Sequence, residues 1–172
     1  MEVTKSKIEK ALNIEHPDLS QITDDLYLSS LPKKEHVEHL LSLGIRMVIS
    51  MTVPRAPSVY RRPPLQFIHC PSLDTPFTPI PICILRRGVL AALPVIKQGK
   101  SVLVHCRSGV HRSVAMACCI LIAKGYTAED AMRLVTEKRD IADPYVPYIR
   151  KRIEKFEANW RKHYDETNSS GD

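Results

Sequence analysis

A cysteine and an arginine six residues apart, Cys106 and Arg112, are the residues of this 172-residue chain whose types and spacing best suit chemistry. They open and close a loop that contains a glycine, in the stretch H-C-R-S-G-V-H-R-S. A thiol beside oriented amides, a helix N-terminus and a guanidinium loses its proton easily, so we expect Cys106 to be a thiolate near neutral pH. Arg112 offers a planar fork for two phosphate oxygens, which a lysine cannot match. The pair predicts a site for dianionic phosphate with a thiolate inside it.

The segments on either side of this loop must position it. Ser101–Val104 is largely β-branched and apolar and follows a Gln98-Gly99-Lys100 turn, which predicts a short buried strand. Val114–Ala123 is an apolar run with the length and composition of a helix. A strand, a tight loop and a helix N-terminus in this order direct the loop amides and the positive end of the helix dipole at one point. The order of these segments therefore predicts an anion site.

The alternative for Cys106 is a buried apolar thiol, which is what most free cysteines are. Five cysteines occur in the chain, and only Cys106 is followed six residues later by an arginine. Only Cys106 also lies between an apolar strand and an apolar helix with a glycine between them. These features favour a functional cysteine.

The loop resembles the H-C-x-x-G-x-x-R-[ST] signature of the cysteine-dependent protein tyrosine phosphatases, and the chain from about Ile22 to Trp160 is similar to their dual-specificity branch. In that family the cysteine attacks phosphorus, the arginine binds the phosphoryl oxygens, and the hydroxyl after the arginine assists release of the thiolate. The resemblance implies these roles for Cys106, Arg112 and Ser113. It also implies that the loop binds the phosphate through Arg107, Ser108, Gly109, Val110, His111 and Arg112.

Asp74 is the candidate general acid. The reaction needs a carboxylic acid to protonate the leaving oxygen and then a carboxylate to activate water. Loops after strands of an open α/β sheet gather at one edge, so Asp74 and Cys106 can face the same crevice. The place of Asp74, 32 residues before Cys106 in L-D-T, resembles the mobile acid loop of the family. The alternative is an aspartate that caps a turn.

Two departures from the family pattern bear on substrate and on support of the loop. Ser108 and His111 stand where alanine and serine are common, and relatives that act on inositol phosphates or phosphoinositides often carry a basic residue in this loop. The segment after Arg139 reads D-I-A-D-P-Y, without the Pro-Asn that many members use to brace the phosphate loop. The bracing contact is therefore unassigned by the sequence.

Further residues are given supporting roles by the same resemblance. His105 precedes the nucleophile, where it is expected to orient the loop and favour the thiolate without acting as a base. A protective disulfide between Cys70 and Cys106 is disfavoured, because the usual strand order places Cys70 one strand too far away. A proline-rich loop carries Arg55, Arg61 and Arg62, which form either a solvated surface or a basic rim that recognises the substrate.

The predicted fold is α/β, with a central, mostly parallel sheet of four or five strands and helices on both faces, as in dual-specificity phosphatases. Three parts are expected. Residues 1–21 form a helical extension packed on the domain, residues 22–163 form the catalytic domain, and residues 164–172 form a disordered tail.

Composition limits the partners and the compartment. The net charge of +6 favours anionic partners, but the basic residues are not interleaved with aromatic ones and no nucleic-acid motif occurs, so nucleic acid is not expected. No apolar run approaches the ~20 residues of a membrane span. An odd number of cysteines without a C-x-x-C pair favours a reducing compartment, so we expect a cytoplasmic protein, with the nucleus left open. No metal or cofactor is expected, because the loop itself supplies the positive field. The protein is expected to be a monomer.

Three functions remain open at this point. The first is a dual-specificity protein phosphatase that acts on phosphorylated proteins through a phosphocysteine. The second is a phosphatase of inositol phosphates or phosphoinositides, suggested by His111 and the arginine loop. The third is an inactive phosphate-binding module.

Overall fold

Five strands form one sheet in the computed structural model, which describes residues 17–169 and the side chains as far as residue 163. The strands are β1 (Leu19–Thr23), β2 (Leu26–Ser29), β3 (Ile45–Ser50), β4 (Gln66–His69) and β5 (Ser101–His105). Their order across the sheet is β1-β2-β5-β3-β4. The first pair is antiparallel and the other neighbours are parallel, so the predicted mostly parallel sheet is confirmed.

Five α-helices accompany the sheet within the described residues. They are α1 (Val37–Ser42), α2 (Ile82–Lys97), α3 (Arg112–Ala123), α4 (Ala128–Lys138) and α5 (Pro147–Ser169). Short 3₁₀ helices precede α1 at Lys34–His36 and lie between β3 and β4 at Ser58–Arg61.

The alternating side chains of β5 show how both faces of the sheet are covered. Val102 and Val104 belong to the large core that contains the buried side chains of α2, α3, α4 and α5. Leu103, between them, packs in a smaller core with Leu40 of α1 and Tyr60. Because strand side chains alternate between faces, this division places helices on both sides of the sheet, as predicted.

Helix α3 lies at the centre of the molecule. It packs on β2 and β5 and is itself covered by α2, α4 and α5. Every residue from Arg112 to Ile122 is buried, which agrees with the uninterrupted apolar run of the sequence. A helix that is buried all round is fixed on every side, so its N-terminus is a rigid support for a binding loop.

The chain termini differ from the predicted boundaries. Leu19 begins β1, so residues 19–21 belong to the sheet and not to the predicted helical extension. Residues 1–16 of that extension lie outside the described part of the chain. At the other end, α5 continues to Ser169, past residue 164 where the tail was placed. No glycine or proline occurs between Pro147 and Gly171 to end the helix earlier. Within the described part of the chain, no helix has the length and apolar character needed to cross a bilayer.

Candidate active site

The loops that follow β3, β4 and β5 are joined where these strands end. Beyond the strands, the Met51 amide donates to the His105 carbonyl over 2.9 Å, and the Ser72 amide donates to the Met51 carbonyl over 3.3 Å. These bonds continue the strand pairing into the loops. They tie the segment before Cys106 to the segment before Asp74, so both candidate residues lie at the carboxyl edge of the sheet.

Cys106 lies at the base of the loop between β5 and α3. The residue is fully buried, and its strand side contacts the apolar core. The other side of the sulfur is polar: the Gly109 amide donates to Sγ over 3.1 Å, and the Ser113 hydroxyl lies 3.2 Å from it. Because α3 begins at Arg112, the positive end of its dipole also faces this loop. These groups stabilise negative charge on the sulfur.

Arg112 is held in place by one of its nitrogens. Nη1 donates to the carbonyl of Ser72 over 2.8 Å and to that of Met51 over 3.2 Å. The side chain is nearly buried, and within the described residues its Nε has no hydrogen-bond partner. The guanidinium is therefore oriented by the backbone, while Nε is free to donate to a phosphoryl oxygen.

Asp74 lies across the crevice from Arg112, with Oδ2 at 3.9 Å from Arg112 Nε. Two side chains hold its carboxylate. Tyr148, at the start of α5, donates from its hydroxyl to Oδ1 over 2.7 Å, and His111 Nδ1 lies 3.2 Å from Oδ2. Sequence reasoning selected Asp74 and His111 separately and missed Tyr148, which no motif distinguishes from the other tyrosines.

A buried arginine, Arg139, braces the phosphate loop. Its Nε donates to the Gly109 carbonyl over 2.9 Å, and its Nη2 donates to Asp18 Oδ2 over 2.6 Å. Asp18 precedes β1, and the Arg139 hydrogen bonds hold the pKa of its carboxyl below the usual value. On the opposite flank, the Asp143 amide donates to the Val110 carbonyl over 3.0 Å. These contacts support the loop without the Pro-Asn segment.

Gly109 requires glycine for two reasons. Its φ is +69°, a left-handed conformation that disfavours other L-residues. A Cβ at this position would also lie 2.5 Å from Arg139 Nη2 and 2.8 Å from the Ser29 carbonyl oxygen. The sharp turn that directs the Gly109 amide at the sulfur thus depends on a missing side chain.

His105 supports the loop as a neutral residue. Burial lowers its pKa to about 4, and the nearby charges of Arg112 and His69 act in the same direction. Its Nδ1 lies 3.3 Å from the Cys106 carbonyl, to which it can donate when protonated at that nitrogen. The predicted orienting role has a physical basis in this contact.

The three arginines of the predicted substrate rim make no contact with the crevice within the described residues. Arg55, Arg61 and Arg62 are exposed on a loop that packs through Ala56 and Tyr60 into the core beside α1. No hydrogen bond or ion pair joins these arginines to the phosphate loop within residues 17–169, and their role as a rim stays a prediction.

The second thiol near this edge, Cys70, is separate from Cys106. Strand β3 lies between the strands that lead to the two residues, and both thiols are free, as the sequence indicated. Burial raises the pKa of Cys70 to about 11, so it is a protonated thiol at neutral pH. In the part of the chain described, no three His, Cys, Asp or Glu side chains gather where they could hold a metal ion.

A basic groove lies between α5 and the loop of residues 71–81 that carries Asp74, called the acid loop below. It has a volume of about 570 Å³, and its walls are formed by three prolines, a tyrosine and three cations: Pro76, Pro79, Pro147, Tyr148, Lys151, Arg152 and Lys155. No carboxylate lines it, whereas Arg150 and Arg161 of the same helix are paired with Glu154 and Glu157. The basic groove reaches the site through Tyr148.

Parallel strands lead into a loop and a buried helix that place a cysteine, a guanidinium and backbone amides around one point. This arrangement defines an α/β domain of the cysteine-dependent phosphatase type. The family model described as dual specificity phosphatase, catalytic domain, matches residues 26–158, and the chain belongs to this family. The predicted family is thereby confirmed.

Individual relatives agree with this assignment. The chain is 30% identical over 164 residues to human dual specificity protein phosphatase 9, covering 88% of this chain and 40% of that protein. It is 26% identical over 165 residues to tyrosine-protein phosphatase yvh1 of Schizosaccharomyces pombe, covering 92% of this chain and 49% of that protein. The chain thus spans less than half the length of these two curated relatives.

The fold also matches a solved structure, PTPMT1 in complex with PI(5)P. The TM-score is 0.76 at 20% identity, over 86% of this chain and 99% of that chain. At this identity the similarity establishes the fold.

Proposed function

We propose that this chain hydrolyses phosphomonoesters through a phosphocysteine at Cys106 and acts as a dual-specificity protein phosphatase. The observation that carries the proposal is the position of the Cys106 sulfur, which accepts the Gly109 amide and lies 3.2 Å from the Ser113 hydroxyl at the start of α3. A merely structural cysteine would not need oriented donors on one side. The membership in the family and the name of the human relative favour phosphorylated tyrosine, serine and threonine in proteins as substrates.

In the first step, the thiolate attacks phosphorus as the bond to the leaving oxygen breaks. Arg112 and the loop amides hold the equatorial oxygens, where negative charge develops. Asp74, across the crevice, gives its proton to the departing alcohol or phenol. The product of this step is a phosphocysteine and a neutral leaving group.

In the second step, a water molecule attacks the phosphocysteine. Asp74, now a carboxylate, accepts a proton from that water, and the S–P bond breaks to return inorganic phosphate and the thiolate. The Ser113 hydroxyl donates to the returning sulfur, which restores the starting state of the loop.

A set of four purified proteins tests the mechanism. The wild-type chain, Cys106→Ser, Asp74→Asn and Cys83→Ser are assayed with phenyl phosphate, a poor leaving group, and with 4-nitrophenyl phosphate, a good one, and binding of vanadate is measured in parallel. Cys83 is exposed on α2, so its variant controls for loss of a thiol elsewhere. We expect Cys106→Ser to lose turnover while keeping anion binding, and Cys83→Ser to match the wild type. Loss of the general acid lowers rates by about 10²–10⁴ with poor leaving groups.

Two results would overturn the proposal. Undiminished hydrolysis by Cys106→Ser would exclude the phosphocysteine. Vanadate binding by a wild-type chain that turns over no phosphate ester would instead support the third function, the inactive phosphate-binding module.

The second candidate function, hydrolysis of inositol phosphates or phosphoinositides, is favoured by the basic groove. Lys151, Arg152 and Lys155 make no ion pair within the described residues, and together they would attract a substrate with several phosphates. A PI(5)P complex of the structurally similar PTPMT1 adds support.

Specificity constants for phosphopeptides, phosphoinositides and soluble inositol polyphosphates would separate the two functions. If polyphosphorylated substrates are preferred, Lys151→Gln/Lys155→Gln should reduce their kcat/KM and leave that for 4-nitrophenyl phosphate unchanged. Lys162→Gln, an exposed lysine of α5 outside the basic groove, is the control. A higher kcat/KM for phosphopeptides that is unchanged in the Lys151→Gln/Lys155→Gln variant would support the protein phosphatase.

A further inference from the structure

The acid loop is anchored to the rest of the molecule through the side chain that would perform catalysis. Among residues 73–79, every hydrogen bond to another element in the described structure is made by the Asp74 carboxylate. The other hydrogen bonds of this segment are local, from the amides of Phe77 and Thr78 to Thr75. Phe77, at 91% exposure, adds no packing. What holds Asp74 therefore also decides where the loop lies.

Each oxygen of Asp74 has a different partner. Oδ1 accepts from the Tyr148 hydroxyl at 2.7 Å, and Oδ2 faces His111 Nδ1 at 3.2 Å and Arg112 Nε at 3.9 Å. Arg112 closes the phosphate loop, so Oδ2 is the oxygen of Asp74 that faces that loop. Oδ1 is bound by Tyr148 of α5.

Tyr148 is a permanent donor in this arrangement. Burial and the Asp74 carboxylate raise the pKa of its phenol to about 12, with Asp143 acting in the same direction and Arg112 against it. The hydroxyl thus keeps its proton throughout the pH range in which the enzyme would work. A donor that does not titrate can hold Oδ1 whether Asp74 is protonated at Oδ2 or ionised.

His111 Nδ1 has a choice of two acceptors. It lies 3.2 Å from Asp74 Oδ2 and also 3.2 Å from the Tyr148 oxygen, and the two rings meet edge to face with centroids 5.8 Å apart. When Oδ2 is ionised, Nδ1–H can donate to it. When Oδ2 carries a proton, Nδ1–H can donate to the Tyr148 oxygen without any movement of the loop.

On these grounds we propose that Tyr148 and His111 are positioning residues that hold Asp74 over the phosphate in both half-reactions, with Oδ2 as the oxygen that carries the proton. The proposal rests on the proposed phosphatase function. In the first step the Oδ2 proton passes to the leaving oxygen as the S–P bond forms. In the second step a proton from the attacking water returns to Oδ2 as the S–P bond breaks, so the network ends as it began.

The test compares Tyr148→Phe with Tyr145→Phe. Tyr145 lies just before α5 and is near Glu129 instead of Asp74, so its variant controls for loss of a phenol in the same region. Values of kcat/KM are measured with phenyl phosphate, a poor leaving group, and with 4-nitrophenyl phosphate, a good one. Because Tyr148 donates to the carboxylate on which negative charge develops as Asp74 gives up its proton, we expect Tyr148→Phe to lower kcat/KM for phenyl phosphate about tenfold or more. The value for 4-nitrophenyl phosphate should change little, since that leaving group needs no acid.

Two further variants separate positioning from general structural support. In an Asp74→Asn background, Tyr148→Phe should have no further effect on kcat/KM for phenyl phosphate, because Tyr148 acts through Asp74. His111→Asn keeps a donor near the position of Nδ1. It should therefore retain more of the wild-type kcat/KM for phenyl phosphate than His111→Ala. Additive losses in the double variant, or an equal loss with both leaving groups, would overturn the proposal.

Hydrogen exchange of the free protein gives a readout that does not need turnover. Amides of residues 73–78 should exchange faster in Tyr148→Phe than in the wild type or in Tyr145→Phe. Equal exchange in all three proteins would overturn the positioning role even if the chain is an active phosphatase. Faster exchange in a chain without activity would preserve the contact and defeat the proposed function instead.

Discussion

Arg139 Nε donates to the carbonyl oxygen of Gly109 over 2.9 Å, and this bond joins the end of α4 to the turn that directs an amide at Cys106. The same guanidinium is held by Asp18 and Ser20 at the edge of the sheet. The phosphate loop is therefore fastened to β1 by one buried side chain.

Replacing Arg139 by lysine should weaken both the fold and the loop. Lysine cannot reach Gly109 and Asp18 with fixed planar donors, so we expect a loss of about 3 kcal/mol in the free energy of unfolding, measured with urea. Vanadate binding should weaken as well. Arg133→Lys, an exposed arginine of α4, is the control and should change the stability by less than about 0.5 kcal/mol. Equal stability of the two variants would contradict the bracing role.

Gly109→Ala should be much more damaging than Gly99→Ala. Both glycines have positive φ, +69° and +73°, but a Cβ at Gly99 meets no atom within 4 Å. The strain of the left-handed conformation, about 1–2 kcal/mol, is thus common to both. Gly109→Ala additionally displaces Arg139 and the Ser29 backbone, so thermal unfolding should show a further loss of about 2 kcal/mol or more. Similar melting temperatures would argue against the close approach.

Asp18→Asn should alter stability on the acid side. The Arg139 hydrogen bonds lower the pKa of Asp18 below 3.8, so its stabilising effect is complete above that pH and is lost as the pH falls through the folded-state value. Asp18 is half exposed, and we expect the variant to lose only about 1 kcal/mol at neutral pH. Between pH 4 and pH 2, urea unfolding should show a smaller pH dependence for Asp18→Asn than for the wild type. Parallel curves would contradict the assignment.

His105 should make the wild-type protein less stable as the pH falls below 6.5. The unfolded chain binds a proton near pH 6.5, whereas the buried folded-state histidine does so only at about 4. Over this window the unfolded state holds more protons, and the loss amounts to about 3 kcal/mol. His105→Gln should flatten this part of the stability curve in urea titrations at several pH values. A curve of unchanged slope would mean that His105 is not buried in its neutral form.

Ser113→Ala should slow the second chemical step. Its hydroxyl lies 3.2 Å from the Cys106 sulfur, and loss of a hydrogen bond to the returning thiolate should cost about tenfold in breakdown of the phosphocysteine. Stopped-flow measurements with 4-nitrophenyl phosphate should then show a burst of nitrophenol. Ser113→Thr keeps the hydroxyl and should show a smaller burst or none. Identical traces for alanine and threonine would exclude this role of the hydroxyl.

The sequence alone determined the family and the phosphate loop, because these can be recognised from a short-range pattern of residues. Cys106, Gly109 and Ser113 lie within eight residues between a strand and a helix, so their hydrogen bonds follow from one local conformation. The same holds for Thr127, whose hydroxyl accepts a hydrogen bond from the Asp130 amide three residues later and caps the N-terminus of α4.

The tertiary structure alone decided what supports that loop and what holds the acid. Arg139 and Asp18 are 121 residues apart, and Tyr148 and Asp74 are 74 apart. No periodicity or motif relates such pairs. They meet because α4 and α5 pack on the central helix α3, which brings the ends of distant segments to the carboxyl edge of the sheet. Hydrogen bonds across that edge depend on packing geometry, and packing geometry is a property of the whole fold.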